Sequence, residues 1–259
     1  MSYSKLAGLR RIMSDDDWVK FVESTIRKFA SRHSIAYAKT ERLISAAFEV
    51  GCFHSLVEYY DQYADIIPKG LKDGKFKYLT SPNGNPANFS YVEIKDGNDV
   101  YQLRQQVRVR SGVNTDIAFT PDMAVFRIDR KVRELKDPDY AKGKRTFFFV
   151  EAEDLVSFHE CKSMNPFPEL LVSFLGMVFA AFPWAREKDF GGYIQKSLLH
   201  IAPTLFVGGS ARGLHLRMIK ALRDSFPVNV IVGMHYGTWE LKKDEHLNTI
   251  RSRAVRSES

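Results

Sequence analysis

The sequence predicts an α/β domain, with a central mixed sheet flanked by helices and a helical extension at the N-terminus. Three observations carry this prediction. Apolar residues recur at helical spacing as far as about Asp65. The middle of the chain strings short strand-like runs between turn residues. The last third alternates helix, strand, helix, strand, the order of a mixed sheet covered by helices.

Taken in order, Ser14 with Asp15, Asp16 and Asp17 reads as a helix start, because acids favour the positive end of the helix dipole. Trp18, Phe21, Val22, Ile26 and Phe29 follow on one stripe. Thr40 is expected to open a second helix containing Leu43, Ile44, Ala47, Phe48 and Val50. Gly51 is expected to end or kink it, with helical patterning resuming from Cys52 to Tyr63. Residues 1–38 are thus a helical extension, 39–240 the main domain, and 241–259 a basic, mobile tail carrying Arg251, Arg253 and Arg256.

Pro82, Gly84 and Pro86 mark a loop. Phe89–Lys95 and Val100–Arg110 read as strands joined by the turn Asp96-Gly97-Asn98. Asp122–Ile128 is another strand. Asp129–Arg145 is densely charged and contains Pro138 and Gly143, so it reads as a loop or hairpin tip. Phe147 to Val150 is a buried-strand signal. Pro168–Phe182 and Arg212–Phe226 read as helices, and His200–Val207 and Val228–Met234 as strands.

Composition narrows the class. The 259 residues hold 38 Lys plus Arg and 31 Asp plus Glu, a net charge of +7. Such a balance favours an anionic partner without identifying one. Apolar residues are 44% and aromatics 13%, which excludes a disordered chain. Cys52 and Cys161 are too few for a disulfide scaffold and lack metal-type spacing, so reduced thiols in the cytoplasm are expected. Met1–Ser14 has no apolar signal core. The longest apolar run, Leu170–Trp184, is interrupted by Ser173, Gly176 and Pro183, and a span needs roughly 20 apolar residues.

No phosphate-binding GxxxxGK[ST] loop, GxGxxG, HExxH or GxSxG occurs. What remains is a set of acids at strand ends and one lysine. Thr120-Pro121-Asp122-Met123-Ala124-Val125-Phe126 puts an acid at the mouth of an apolar strand. Ser157-Phe158-His159-Glu160-Cys161-Lys162 puts Glu160 and Lys162 two apart, on one face if extended. The acid-x-lysine tripeptide recurs at Asp73, Glu93, Glu134 and Glu240, and Pro138-Asp139 repeats the proline-acid pair. Only Asp122 leads directly into an apolar strand.

These segments, in this element order, resemble the PD-(D/E)xK nuclease superfamily, the restriction-endonuclease-like fold, over roughly residues 39–235. The resemblance implies a core of helix, three-stranded meander, helix and strand. It implies Mg2+ (or Mn2+) held by Asp122 and Glu160, with the Cys161 carbonyl facing the metal and Lys162 assisting water attack. The superfamily often adds an acid from the first helix. Glu41 lies ten residues before Gly51, and Glu49 falls on the same stripe beyond Ser45; either also fits a solvated helix face.

Two alternatives stay open. Asp122 and Glu160 are 38 apart, with Phe147–Glu153 between them. If that run is the third meander strand, Glu151 or Glu153 lies opposite Asp122 and Glu151 is the second metal acid. Ser157 and Glu160 also fit a capping box, which would place Glu160 in a helix start.

Arg104, Arg108 and Arg110 alternate with apolar residues, and would line one strand face as phosphate contacts. The basic loop Arg130–Arg145 and the amides of Gly208-Gly209-Ser210 are further phosphate candidates. His159 is a candidate for proton transfer. The expected function is a metal-dependent DNA endonuclease, of the kind serving restriction, phage defence or mobile-element processing. It would be cytoplasmic, with a partner protein or a second copy as further partners. Two other functions compete: a catalytically inactive nuclease-fold subunit that binds nucleic acid or a protein, and a small-molecule enzyme on an unrelated α/β scaffold.

Overall fold

A computed structural model describes residues 15–32, 36–37, 44–127, 132–135, 147–186, 199–236 and 247–251. Glu41 and most of the basic loop Arg130–Arg145 lie outside the described residues, as do Ser14 and the chain beyond Arg251.

Helix α1 (Asp15–Arg32) buries Val22, Ile26 and Phe29, spaced four and three apart, against the core. Helix α2 (Ile44–Tyr60) is apolar around its circumference and buries Phe48, Val50, Cys52, Phe53, Leu56, Val57 and Tyr60. Such a helix belongs inside a domain. It runs unbroken through Gly51, where a stop or kink was expected. A helical glycine costs about 1 kcal/mol relative to alanine. Burying even one of the large side chains beside it recovers more than that.

The central sheet has seven strands. They are β2 (Asp65–Lys69), β4 (Tyr91–Asp96), β5 (Asp99–Gln105), β8 (Met123–Arg127), β11 (Leu155–Lys162), β13 (Thr204–Val207) and β14 (Asn229–Ile231). Their spatial order is β14-β13-β11-β8-β5-β4-β2. The run from β2 to β11 is antiparallel, while β11, β13 and β14 are parallel. Helix α3 (Pro168–Ala181) makes the crossover from β11 to β13, and α4 (Leu214–Ser225) the one from β13 to β14. The expected order of helix, three-stranded meander, helix and strand is therefore present as α2, β5-β8-β11, α3 and β13.

Between β4 and β5 the chain turns through Gly97 at φ +59°, the positive φ that a two-residue hairpin turn requires. One apolar cluster packs α1 and α2 on one face of the sheet, with Phe48, Phe53, Tyr101, Leu103, Val125 and Phe206 in it. The other packs α3 and α4 with Ala124, Phe126, Phe158, Leu205 and Val230.

A second sheet has four strands in the order β7-β6-β10-β9: Ala118–Phe119, Arg108–Arg110, Phe147–Glu151 and Arg133–Leu135. It explains the long spacing from Asp122 to Glu160. The chain leaves the central sheet after β5 and again after β8, and the two excursions pair with each other through β6 and β10. Two expectations are corrected here. Val100–Arg110 is not one strand, because it breaks at Gln106 (φ +52°) and continues in the other sheet. Phe147–Glu151 is not the third meander strand; β11 takes that place beside β8.

The expected strand His200–Val207 is also divided. Its start lies in β12 (Leu199–Ile201), which pairs with β15 (Thr249–Arg251). Arg251 therefore sits in a strand rather than a mobile tail, because Ile250 is buried. The remaining two-stranded sheet joins β1 (Ala36–Tyr37) to β3 (Lys75–Phe76). Among the described residues, no helix is long and apolar enough to cross a membrane.

Candidate active site

In the antiparallel register of β8 and β11, Met123 faces His159. The next pair outward brings Asp122 beside Glu160. The capping-box alternative does not occur, since Ser157 and Glu160 both lie within the strand. Pro121 precedes Asp122 and offers no N–H of its own. The Asp122 N–H instead donates to Glu160 Oε1 at 3.3 Å.

Both Asp122 oxygens are engaged. Oδ2 accepts the Cys161 backbone N–H at 2.7 Å and Lys162 Nζ at 3.2 Å, and Oδ1 accepts Gln106 Nε2 at 2.9 Å. Lys162 Nζ also lies 2.8 Å from Glu160 Oε2, so one ammonium spans two carboxylates. Gln106 Nε2 continues to Glu49 Oε2 at 3.4 Å, drawing the α2 acid into the group. Its backbone N–H donates to the Asp122 carbonyl at 3.1 Å. The site thus collects α2, the end of β5, the entry to β8 and the end of β11.

Three acids share one nearby lysine, and the electrostatics show the imbalance. Glu49 is pushed up to about 8, by burial first and then by Asp122. Glu160 is pushed up to about 7, again by burial first and then by Asp122, against the pull of Lys162. Burial opposes the charge on Lys162, but Glu160 and Asp122 outweigh it and hold the ammonium protonated. Excess negative charge on hard oxygen donors is the chemistry a divalent cation satisfies. Asp122, Glu160 and Glu49 fit that requirement by donor type and charge. Among the described residues, no three His, Cys, Asp or Glu side chains are grouped so as to hold a metal ion as they stand, and Lys162 and Gln106 occupy oxygens that a cation would take.

The other sequence candidates fall elsewhere. Glu151 lies in the second sheet, where it accepts from Arg110 NH1 at 3.3 Å, so it is not the acid beside Asp122. Cys161 contributes its backbone N–H to Asp122. Its thiol is buried beside Cys52, and burial pushes it well above the usual thiol range.

Arg104, Arg108 and Arg110 do not share one strand face. Arg104 lies in the central sheet opposite Ala124, stacked 3.5 Å from the centroid of the Tyr91 ring, with Nε donating to Gln102 at 2.7 Å. Arg108 and Arg110 lie in β6, and Arg110 also stacks over Phe149 at 4.8 Å. The Gly208, Gly209 and Ser210 amides are spent internally on the Lys162 and Met164 carbonyls and the Asn165 side chain. A Cβ on Gly209 would come 2.1 Å from Asn165 Oδ1, so glycine serves close packing there. His159 is fully buried on the opposite strand face and pushed down to about 3, which suits a neutral core residue rather than a proton carrier at the site.

Sequence reasoning missed Gln106. Its signal was weak: two adjacent glutamines, Gln105 and Gln106, within an otherwise alternating strand pattern.

No family model and no curated protein matches the chain. Two solved structures are similar to it, both of E. coli MS115-1 NucC. The apo form is 17% identical, with a TM-score of 0.29, over 47% of this chain and 53% of that one. The match to the apo structure thus spans about half the length of its chain. The cAAA-bound form is 12% identical, with a TM-score of 0.36, over 90% of this chain and 76% of that one.

Proposed function

We propose that this protein is a divalent-cation-dependent nuclease that hydrolyses phosphodiester bonds in DNA. The carrying observation is the convergence of Asp122, Glu160 and Lys162, with Glu49 joined to them through Gln106. Asp122, Glu160 and Glu49 would hold Mg2+ or Mn2+ by turning onto the cation from their present contacts with Lys162 and Gln106. When bound, the cation offsets charge building on the phosphate and lowers the pKa of the attacking water. Lys162 supplies a fixed positive charge beside the scissile phosphate, since its carboxylate neighbours keep it protonated. The Cys161 N–H fixes the Asp122 carboxylate so that its orientation survives the loss of the Lys162 contact.

Arg104 is the proposed phosphate contact. It lies opposite Ala124, two residues along β8 from Asp122, and among the described residues no carboxylate forms an ion pair with it. Arg110 is already matched by Glu151. Restriction, phage defence and mobile-element processing, in the cytoplasm, are the settings where such cutting is used, with a partner protein or a second copy directing it.

One observation favours a binding subunit instead: Lys162 already occupies an oxygen of each of the two strand acids. Linear, circular and single-stranded DNA incubated with Mg2+ or Mn2+ separates the two functions. Cleavage abolished by Asp122→Ala and by Lys162→Ala supports the nuclease. Salt-sensitive DNA binding with no cleavage under either metal leaves the binding subunit.

A further inference from the structure

We propose that Gln106 is itself part of the cation site, supplying its amide oxygen as a neutral donor alongside Asp122 and Glu49. This rests on the cation-dependent function proposed above. Four observations carry it. Gln106 is 6% exposed, so its amide cannot be satisfied by bulk water. Its Nε2 lies between Asp122 Oδ1, at 2.9 Å, and Glu49 Oε2, at 3.4 Å. Its backbone N–H is committed to the Asp122 carbonyl, which fixes the side chain's origin beside the acid. Its φ is +52°, a conformation that L-residues other than asparagine and aspartate seldom adopt.

The physical argument joins these facts. A primary amide has two N–H donors on one atom and a carbonyl oxygen on the other. With nitrogen inward, the N–H groups screen two carboxylates from each other, the role a cation would take. Rotating the terminal amide by half a turn exchanges nitrogen for oxygen at nearly the same place. Two ionised carboxylates alone would repel that oxygen, whereas a divalent cation between them attracts it. Amide oxygens are ordinary ligands of hard cations. Strained backbone persists where the surroundings over-determine it, and here the change from one sheet to the other does so, which holds this side chain between its two acid partners. A side chain used only as a spacer would not need an amide at this position.

The test measures cation affinity rather than cleavage. Mn2+ is titrated by calorimetry into wild-type protein, Gln106→Glu, Gln106→Met and Gln106→Gly, with thermal melting in EDTA and in Mn2+. Gln106→Gly removes the side chain while suiting the positive φ, so it keeps a folded protein available if Gln106→Met does not fold. Loss of the oxygen should weaken Mn2+ roughly 10- to 100-fold in Gln106→Met and Gln106→Gly. Gln106→Glu keeps an oxygen and adds charge, so it should bind at least as tightly as wild type and gain more melting temperature from Mn2+. Wild-type affinity in Gln106→Met or Gln106→Gly overturns the proposal. So does weak binding by Gln106→Glu, which would make the N–H groups the essential feature. If wild type binds no Mn2+, the cation-dependent function falls as well. If wild type binds and Gln106→Met or Gln106→Gly matches it, only the role of Gln106 falls.

Discussion

Strand β11 carries two buried polar groups on its opposite faces, and they are handled in opposite ways. On one face, Glu160 and Lys162 sit with Asp122, and their charged atoms find partners within 3.3 Å. On the other, His159 lies next to Phe206, and neither ring nitrogen has a hydrogen-bond partner among the described residues. His200 is nearby, with Nδ1 3.2 Å from the Tyr60 hydroxyl and Nε2 without a hydrogen-bond partner among the described residues. Burial pushes both histidines down to about 3, so both are neutral. One residue of strand separates a cluster in which Lys162 and its carboxylates support one another's charge from one that stays neutral because no carboxylate offsets the burial of its imidazoles. Period-two alternation places the residues, and the presence of a counter-charge decides their protonation.

The sharpest break in this comparison is catalytic. Asp122→Ala or Lys162→Ala should lower cation-dependent cleavage by about 10²- to 10⁴-fold. His159→Phe, one residue from Glu160 but on the other face, should leave cleavage unchanged. Equal losses in gel-based cleavage rates for the two faces would remove the distinction.

Stability against pH should show the same contrast with opposite signs. His54, His159 and His200 are each lowered to about 3 from 6.5. Their unfolded forms take up protons first, so they contribute full stability above pH 6.5 and lose it as pH falls toward 3. By pH 5 each should cost on the order of 2 kcal/mol, read as a falling urea midpoint. His159→Phe should remove one such share and be near neutral at pH 7, since it replaces unpaired ring nitrogens with an apolar ring of similar shape.

The acids act the other way. Glu49 and Glu160 are raised from 4.5 to about 8 and about 7, so the folded protein holds protons that the unfolded chain releases. In EDTA their effect should be a decline in stability as pH rises from about 4.5 to 8. Glu49→Gln should flatten that decline, and Mn2+ should do the same in wild type. A melting profile unaltered by either would show that burial and Asp122 do not hold these acids protonated in the fold.

The smallest effect concerns two arginines. Arg104→Ala should weaken DNA binding across sequences and reduce the salt slope by about 1. Arg110→Ala should change it little, because Glu151 already matches that charge. Fluorescence anisotropy at several salt concentrations distinguishes them.

The comparison also shows which features were legible in advance. Asp122 stood out because an acid after proline and before four apolar residues is unusual at a strand entry. Glu160 and Lys162 stood out because spacing of two fixes a common face in any strand. Glu49 was legible only as one of two helix acids, and Glu151 remained a rival because the strand holding it reads like a meander strand. Spacing along the chain does not reveal that β6 and β10 pair with each other and carry both excursions out of the central sheet. The break at Gln106 was hidden for the same reason. Val100–Arg110 has continuous alternation, and only the competing pairings of the two sheets require the chain to change direction there.

By itself the sequence determined the α/β class, the helices that bury one face or the whole circumference, and the acids and lysine available for chemistry. Local spacing and hydrophobic pattern act within a few residues, and these features need nothing more. The tertiary structure decided that Glu160 rather than Glu151 lies beside Asp122, and that Arg104 stands apart from Arg108 and Arg110. It also made Gln106 the link between Glu49 and the sheet. Those outcomes depend on which distant strands pair, and that is set by the burial of two whole apolar clusters rather than by any short segment.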